Sequence, residues 1–283
     1  MLTVKHLNFN YPKSRSVLQS INLDFTAGNI YGLFGKNGEG KSTLLKIMSG
    51  LLFPKHGSCS LDGYEMRKRD VQSLQHIFLV PEDFELPALS IRSFEKVQSC
   101  FYPLFSKTQF YQLIEEFQLS PNNIISKLSF GQKKKVLIAF GIATNTKLLL
   151  MDEPTNGLDI PSKSQFRKVM ASVVDENKCI VISTHQVRDL HSLINHVVVL
   201  DNGRIAFDQS LDKVSDGLWF GKQPSNDTME PIYSESSFGG KAIVPRLDKN
   251  ETEVDLELLF NGILGAPDKI KEVMNQTQQN ERV

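Results

Sequence analysis

The chain has 283 residues, 40% hydrophobic and 23% charged, which is ordinary for a globular protein and excludes a disordered or fibrous one. Lysine plus arginine and aspartate plus glutamate number 32 each, so the net charge is zero and the basic surplus of a dedicated nucleic-acid binder is missing. Cys59, Cys100 and Cys179 are far apart and form no C-x-x-C pair, so they read as reduced thiols, not as a disulfide framework or a zinc site.

The amino terminus starts directly in an alternating strand pattern, without the apolar core of a leader. No stretch approaches the roughly 20 apolar residues that span a bilayer, so a protein soluble by itself is expected. Residues 2–9 and 21–25 alternate apolar and polar side chains as half-buried strands do, with a turn at 26–29. Residues 30–34 form a compact apolar strand that runs straight into Gly35-Lys36-Asn37-Gly38-Glu39-Gly40. A helix is predicted over 41–49, stopped by Gly50 with Pro54 just beyond, and short strands come next at 57–61 and 77–80.

From 90 to 143 the apolar period turns helical: Phe94, Val97 and Phe101, then Phe110, Leu113, Ile114 and Phe117, then Val136, Ile138, Ala139 and Phe140. This block reads as a helical subdomain inserted into an α/β core. Alternation resumes with strand 147–151, helix 162–174, strand 179–183, helix 186–194 and strand 196–200, before Asp201-Asn202-Gly203 turns the chain into 204–207. Apolar strands alternating with helices predict an α/β fold: a parallel sheet flanked by helices, preceded by an antiparallel β subdomain. Past residue 216 the pattern weakens. An amphipathic stretch at 254–264 is expected to dock on its own domain, and the mostly polar residues 274–283 are expected to fray.

Gly35 to Ser42 fits G-x-x-x-x-G-K-[ST] in full, a match expected by chance about once in a hundred chains of this length. The glycines Gly35, Gly38 and Gly40 let backbone N–H groups turn inward around phosphates, Lys41 neutralises phosphate charge, and the Ser42 hydroxyl suits Mg²⁺. Asn37 and Thr43 complete the predicted phosphate loop, and the helix start adds its positive end. This pattern predicts a nucleoside triphosphate site, with Mg²⁺ as the expected ion. Residues 148–151 then form a buried strand that delivers Asp152 and Glu153 at its carboxyl end, where parallel sheets bind ligands. One acid there can support Mg²⁺ and the other can orient and deprotonate water. His185 comes after the apolar strand at 179–183 and reads either as a γ-phosphate or water contact or as a helix cap.

Leu128-Ser129-Phe130-Gly131-Gln132 lies close to the signature LSGGQ, and it precedes the acid-tipped strand by a short helix. Pro154-Thr155-Asn156-Gly157-Leu158-Asp159 and Ser183-Thr184-His185 lie beyond that strand. With the phosphate loop, these motifs make residues 1–215 resemble the ATP-binding subunit of an ABC transporter, a P-loop NTPase, and leave 216–283 as an extension without a role.

The resemblance implies that Tyr11 stacks on adenine, that Asp152 supports Mg²⁺, that Glu153 is the general base and that His185 holds the γ-phosphate and water in line. It also implies that Asp159 communicates across a dimer, and that Ser129, Gly131 and Gln132 bind the γ-phosphate held by a second subunit. The expected assembly is therefore a head-to-tail homodimer or heterodimer, cytoplasmic and held at the inner membrane face by an integral membrane permease, with no nucleic-acid partner. Two positions depart from the pattern. Phe130 replaces a signature glycine, a change of little expected consequence. Glu82 stands where the family often has glutamine; it can still ligate Mg²⁺ or water, and it resembles a branch rich in single-module bacterial exporters. Powered export is thus the expected function, and a mechanical or regulatory switch for a non-transport membrane complex is the alternative.

Overall fold

The computed structural model describes residues 1–12, 16–173, 175–222, 230–235, 240–246 and 252–280. The chain opens with β1 (Leu2–Asn10), β2 (Ser16–Phe25) and β3 (Asn29–Phe34), then α1 (Lys41–Met48), β4 (His56–Leu61) and β5 (Tyr64–Glu65). A short α2 (Val71–Leu74) leads to β6 (Ile77–Val80) and the helical block α3 (Ile91–Gln98), α4 (Lys107–Glu116) and α5 (Phe130–Ala143). The core closes with β7 (Leu148–Asp152), α6 (Ile160–Ser172), β8 (Cys179–Thr184), β9 (His196–Asp201) and β10 (Arg204–Ser210).

Six strands form the central sheet in the order β10-β9-β3-β8-β7-β6, parallel except for β10, while β2-β1-β4-β5 make an antiparallel sheet beside it. This is the predicted α/β class. The central strands are apolar throughout because both of their faces are buried. In β7, Leu148 and Leu150 face the core under the antiparallel sheet and α1, while Leu149 and Met151 face the core under α5 and α6. The same period of two divides Cys179 and Val181 from Ile180 and Ile182.

Helix α5 is buried on every side from Val136 to Ala143. Phe140 anchors an aromatic cluster there, with ring centroids 4.9–6.1 Å from Phe78, Phe94, Tyr102, Phe105 and Phe110. Its contacts with Phe94, Tyr102 and Phe110 are edge-on, a packing that stabilises beyond the area it buries.

Two expectations are corrected. No helix spans 186–194; only a 3-10 turn, Val187–Leu190, forms there, and Ser192 takes a left-handed φ of 67°. Val187, Leu190 and Ile194 are buried at helical spacing, but as three anchors of a loop that must reach β9. Residues 274–280 do not fray: they belong to α9 (Pro267–Asn280), whose Ile270 and Met274, one helical turn apart, are both buried. Residues 281–283 lie outside the described residues, as does Val174 at the end of the predicted helix 162–174. The segment after β10 is also more ordered than its pattern announced. It holds α7 (Leu211–Gly217), a small antiparallel sheet β11-β13-β12 (Leu218–Lys222, Lys241–Pro245, Tyr233–Ser234) and α8 (Leu256–Gly265). These pack on the main core; Phe260 of α8 meets Phe34 of β3 at 6.3 Å.

Candidate functional site

Parallel register brings four strand ends to one edge of the central sheet, where Phe34 pairs with Thr184, Asp152 with Ser183 and Val80 with Met151. The residues just past these ends therefore converge: Gly35 after β3, Glu82 after β6, Glu153 after β7 and His185 after β8. A cleft of about 560 Å³ opens there, lined by Asn37, Gly38, Gly40, Lys41, Ser42 and Thr43 of the phosphate loop and by Tyr11, Val17, Glu82, Glu153, Asn156 and His185.

The loop requires its glycines. Gly40 caps α1 at φ 104°, a left-handed backbone, and a Cβ there would lie 2.9 Å from Leu18. A Cβ on Gly35 would lie 2.6 Å from the carbonyl oxygen of Leu200. Lys41 is buried and donates to the carbonyls of Gly35 (2.7 Å) and Lys36 (3.2 Å). Burial holds its ammonium below the usual lysine range, opposed by Glu153, Asp152 and Glu82 nearby. Tyr11 reaches the same loop, with its hydroxyl 3.1 Å from Thr43 Oγ1 and its ring edge-on to Phe9.

The acids are held by the neighbouring strand. Ser183 Oγ donates to Asp152 Oδ1 at 2.6 Å, and Thr184 Oγ1 to Glu153 Oε2 at 2.9 Å. Glu153 Oε1 accepts the His185 backbone N–H at 3.0 Å and lies 2.8 Å from His185 Nδ1 and 3.8 Å from Lys41 Nζ. Glu153 itself has a φ of 44°, left-handed for a residue with a side chain, which aims its carboxylate back into the cleft. Glu82 accepts from Asn156 Nδ2 at 2.8 Å.

The signature segment is elsewhere. Ser129 and Gln132 form a reciprocal capping box at the start of α5, and neither they nor Gly131 line this cleft. Phe130 stacks on Phe84 at 5.3 Å. Asp159 is exposed and caps α6, accepting the Ser162 N–H at 2.8 Å, and the Ser162 hydroxyl followed by that N–H holds its carboxyl below the ordinary aspartate range. The cleft's own residues are thus assembled, and the signature residues and Asp159 stand apart from it.

Residues 18–156 match the family described as ABC transporter. The lantibiotic transport ATP-binding protein SrtF of Streptococcus pyogenes is 30% identical over 214 residues, covering 75% of this chain and 92% of that protein. The chain belongs to the ABC transporter ATP-binding family. The methionine import ATP-binding protein MetN of Carboxydothermus hydrogenoformans is 32% identical over 223 residues, covering 72% of this chain and 65% of that protein. Among solved structures, an ATP-binding subunit of an ABC transporter matches with a TM-score of 0.68 and 27% identity, over 75% of this chain and 91% of that one. As an ABC ATPase the chain binds adenine nucleotide, and among the described residues no helix is long and apolar enough to cross a membrane.

Two residues of this ABC ATPase escaped sequence reading. Asn156 was legible only as part of a motif, yet its side chain holds Glu82. Lys134 sits in a run of three lysines and carries no motif, but it is fully buried behind the acids and donates to the carbonyls of Glu153 (3.0 Å) and Asn156 (3.1 Å). Only its spacing hinted at burial, since Ile138, one helical turn further along α5 on the same face, is buried.

Proposed function

We propose that this ABC ATPase subunit hydrolyses MgATP with Glu153 as the general base, working in a head-to-tail dimer that powers export through a membrane permease. The contact that carries the reading is Glu153 Oε1 at 3.8 Å from Lys41 Nζ, across a cleft walled by the phosphate loop. A cation suited to the γ-phosphate faces a carboxylate suited to water.

Each residue then has a part. Lys41 and the loop N–H groups hold the phosphates, and Tyr11 offers a ring at the cleft margin for adenine. Ser42, Asp152 and Glu82 offer hard oxygen donors, a set that fits Mg²⁺. Among the described residues no three His, Cys, Asp or Glu side chains form a metal cage, as befits an ion that takes most ligands from water and phosphate. That ion would neutralise phosphate charge when bound. Glu153 accepts a proton from the attacking water while the water's oxygen bonds to the γ-phosphorus, the bond from that phosphorus to the bridging oxygen breaks, and ADP leaves with the electron pair. His185, hydrogen-bonded to Glu153, fixes the carboxylate and faces the same space.

A second copy is needed because Ser129, Gly131 and Gln132 are turned away from their own cleft. Offered to the ATP of a partner subunit, they would make the nucleotide an adhesive whose loss on hydrolysis opens the pair. Export is favoured by Glu82 and by the lantibiotic transport relative; the similarity to a methionine importer makes a two-direction transport assay necessary. The membrane partner would place the subunit on the cytoplasmic face.

Glu153→Gln tests the reading. ATP binding should persist while turnover falls about 10²- to 10⁴-fold, and the ATP-bound variant should elute as a dimer. Turnover near that of the unaltered protein would remove Glu153 as the base. Capture of the chain from its native membranes in mild detergent should bring a polytopic protein, whose kind separates a transporter from a non-transport complex.

A further inference from the structure

Lys134 is a charge in a costly place. It lies in the second turn of α5, and no part of it reaches solvent. Burial pushes its ammonium below the usual lysine range, opposed by Glu82, Glu153, Asp152 and Asp83. A buried ammonium persists only with good partners, and both of its hydrogen-bond partners, Glu153 and Asn156, line the cleft.

The contacts form a connected frame. Lys134 Nζ donates to the carbonyl oxygens of Glu153 and Asn156, the two ends of one tight turn. The same Glu153 oxygen accepts the Asn156 N–H at 3.1 Å, closing the turn. Its first residue is the left-handed Glu153, and the amide of its last residue holds Glu82 Oε1 at 2.8 Å. Beneath, the ammonium rests 5.0 Å from the centre of the Phe130 ring, within the signature segment. Left alone, a left-handed glutamate would relax toward ordinary backbone angles and swing its carboxylate out of line.

We propose that Lys134 is a positioning residue for hydrolysis: its two carbonyl contacts lock the turn that aims both Glu153 and Glu82, and its charge offsets the acid at position 82. The inference rests on Glu153 being the base. It also ties the start of α5, which would serve a partner's nucleotide, to the base of its own site.

The test uses the full chain. Lys134→Met preserves volume and removes charge and donors, an exchange that buried ionic groups often tolerate in folding. Its kcat should fall about tenfold or more with KM for MgATP within about threefold, and amide exchange across residues 153–157 should rise. Lys134→Gln keeps a donor but leaves Glu82 unbalanced; adding Glu82→Gln should recover about fivefold of the lost kcat. A Met variant within about twofold of the unaltered kcat, or no recovery in the double variant, would overturn the proposal. If the Met variant does not fold, the glutamine pair decides. Absence of turnover in the unaltered protein would break the assignment of Glu153 instead, and unchanged exchange at 153–157 would then still overturn the clamp.

Discussion

The nucleotide cleft encloses about 560 Å³, and a second cleft, between the C-terminal extension and the loop after His185, encloses about 440 Å³. Acids and bases line both. In the first, Lys41, Asp152 and Glu153 are buried, and Glu153 at the centre carries several partners: it is held by Thr184, His185 and Lys41, while Ser183 holds Asp152. In the second the charges are mostly exposed, with Asp255 half-buried, and joined mostly one to one, Arg188 to Glu257, His191 to Glu253 and Lys241 to Asp255. A buried ion must have every polar contact satisfied, so its geometry is over-determined and preorganised for chemistry. An exposed pair keeps rotamer freedom and competing water, so it fastens two surfaces only weakly. Charge alone therefore does not mark a site; burial with multiple anchors does.

The largest effect should come from Lys41→Ala. Losing the buried cation of the phosphate loop should weaken ATP binding about a hundredfold, read by titration calorimetry or a fluorescent nucleotide. Unchanged affinity would break the assignment of the first cleft. Glu153→Gln and the Lys134 variants then separate binding from turnover within it.

An intermediate effect is expected for Ser183→Ala. Its hydroxyl donates 2.6 Å to buried Asp152, and removal should cost about 2 kcal/mol, several degrees of Tm, and lower Mg²⁺ affinity. The smallest effect is Lys241→Ala in the second cleft, about 0.5 kcal/mol or less at neutral pH.

Asp255 supplies the pH sign of that last variant. Partial burial would raise its carboxyl pKa, but Lys241 at 2.5 Å and the Leu258 N–H lower it below the ordinary value. The stabilisation is therefore present above the usual aspartate range and is lost as pH falls through the folded value. The gap between Lys241→Ala and the unaltered protein should shrink in acid-titrated melts. A Lys241→Ala cost exceeding that of Ser183→Ala would dissolve the contrast between the clefts.

How much could be read in advance depended on distance along the chain. The phosphate loop was legible because strand, glycines, Lys41, Ser42 and helix are contiguous, so one peptide contains both the motif and its context. The acids at 152 and 153 and the histidine at 185 were legible because each ends an apolar strand. Residues 186–194 misled because a helical spacing of Val187, Leu190 and Ile194 also satisfies a loop pinned at three points. The polar carboxyl end hid a helix because two apolar residues, Ile270 and Met274, suffice when they point at a waiting surface.

The sequence by itself determined the α/β class, the phosphate loop and the residue types of the nucleotide site, since these derive from local periodicity and from the chemistry phosphate demands. Tertiary structure alone decided that Glu82 is held by Asn156, that the signature residues turn away from their own cleft, and that one lysine in a run of three is buried behind the acids. Those outcomes rest on contacts between segments as far apart as Glu82 and Asn156, or Lys134 and Glu153. Only the packed sheet and helices bring such segments within hydrogen-bond range.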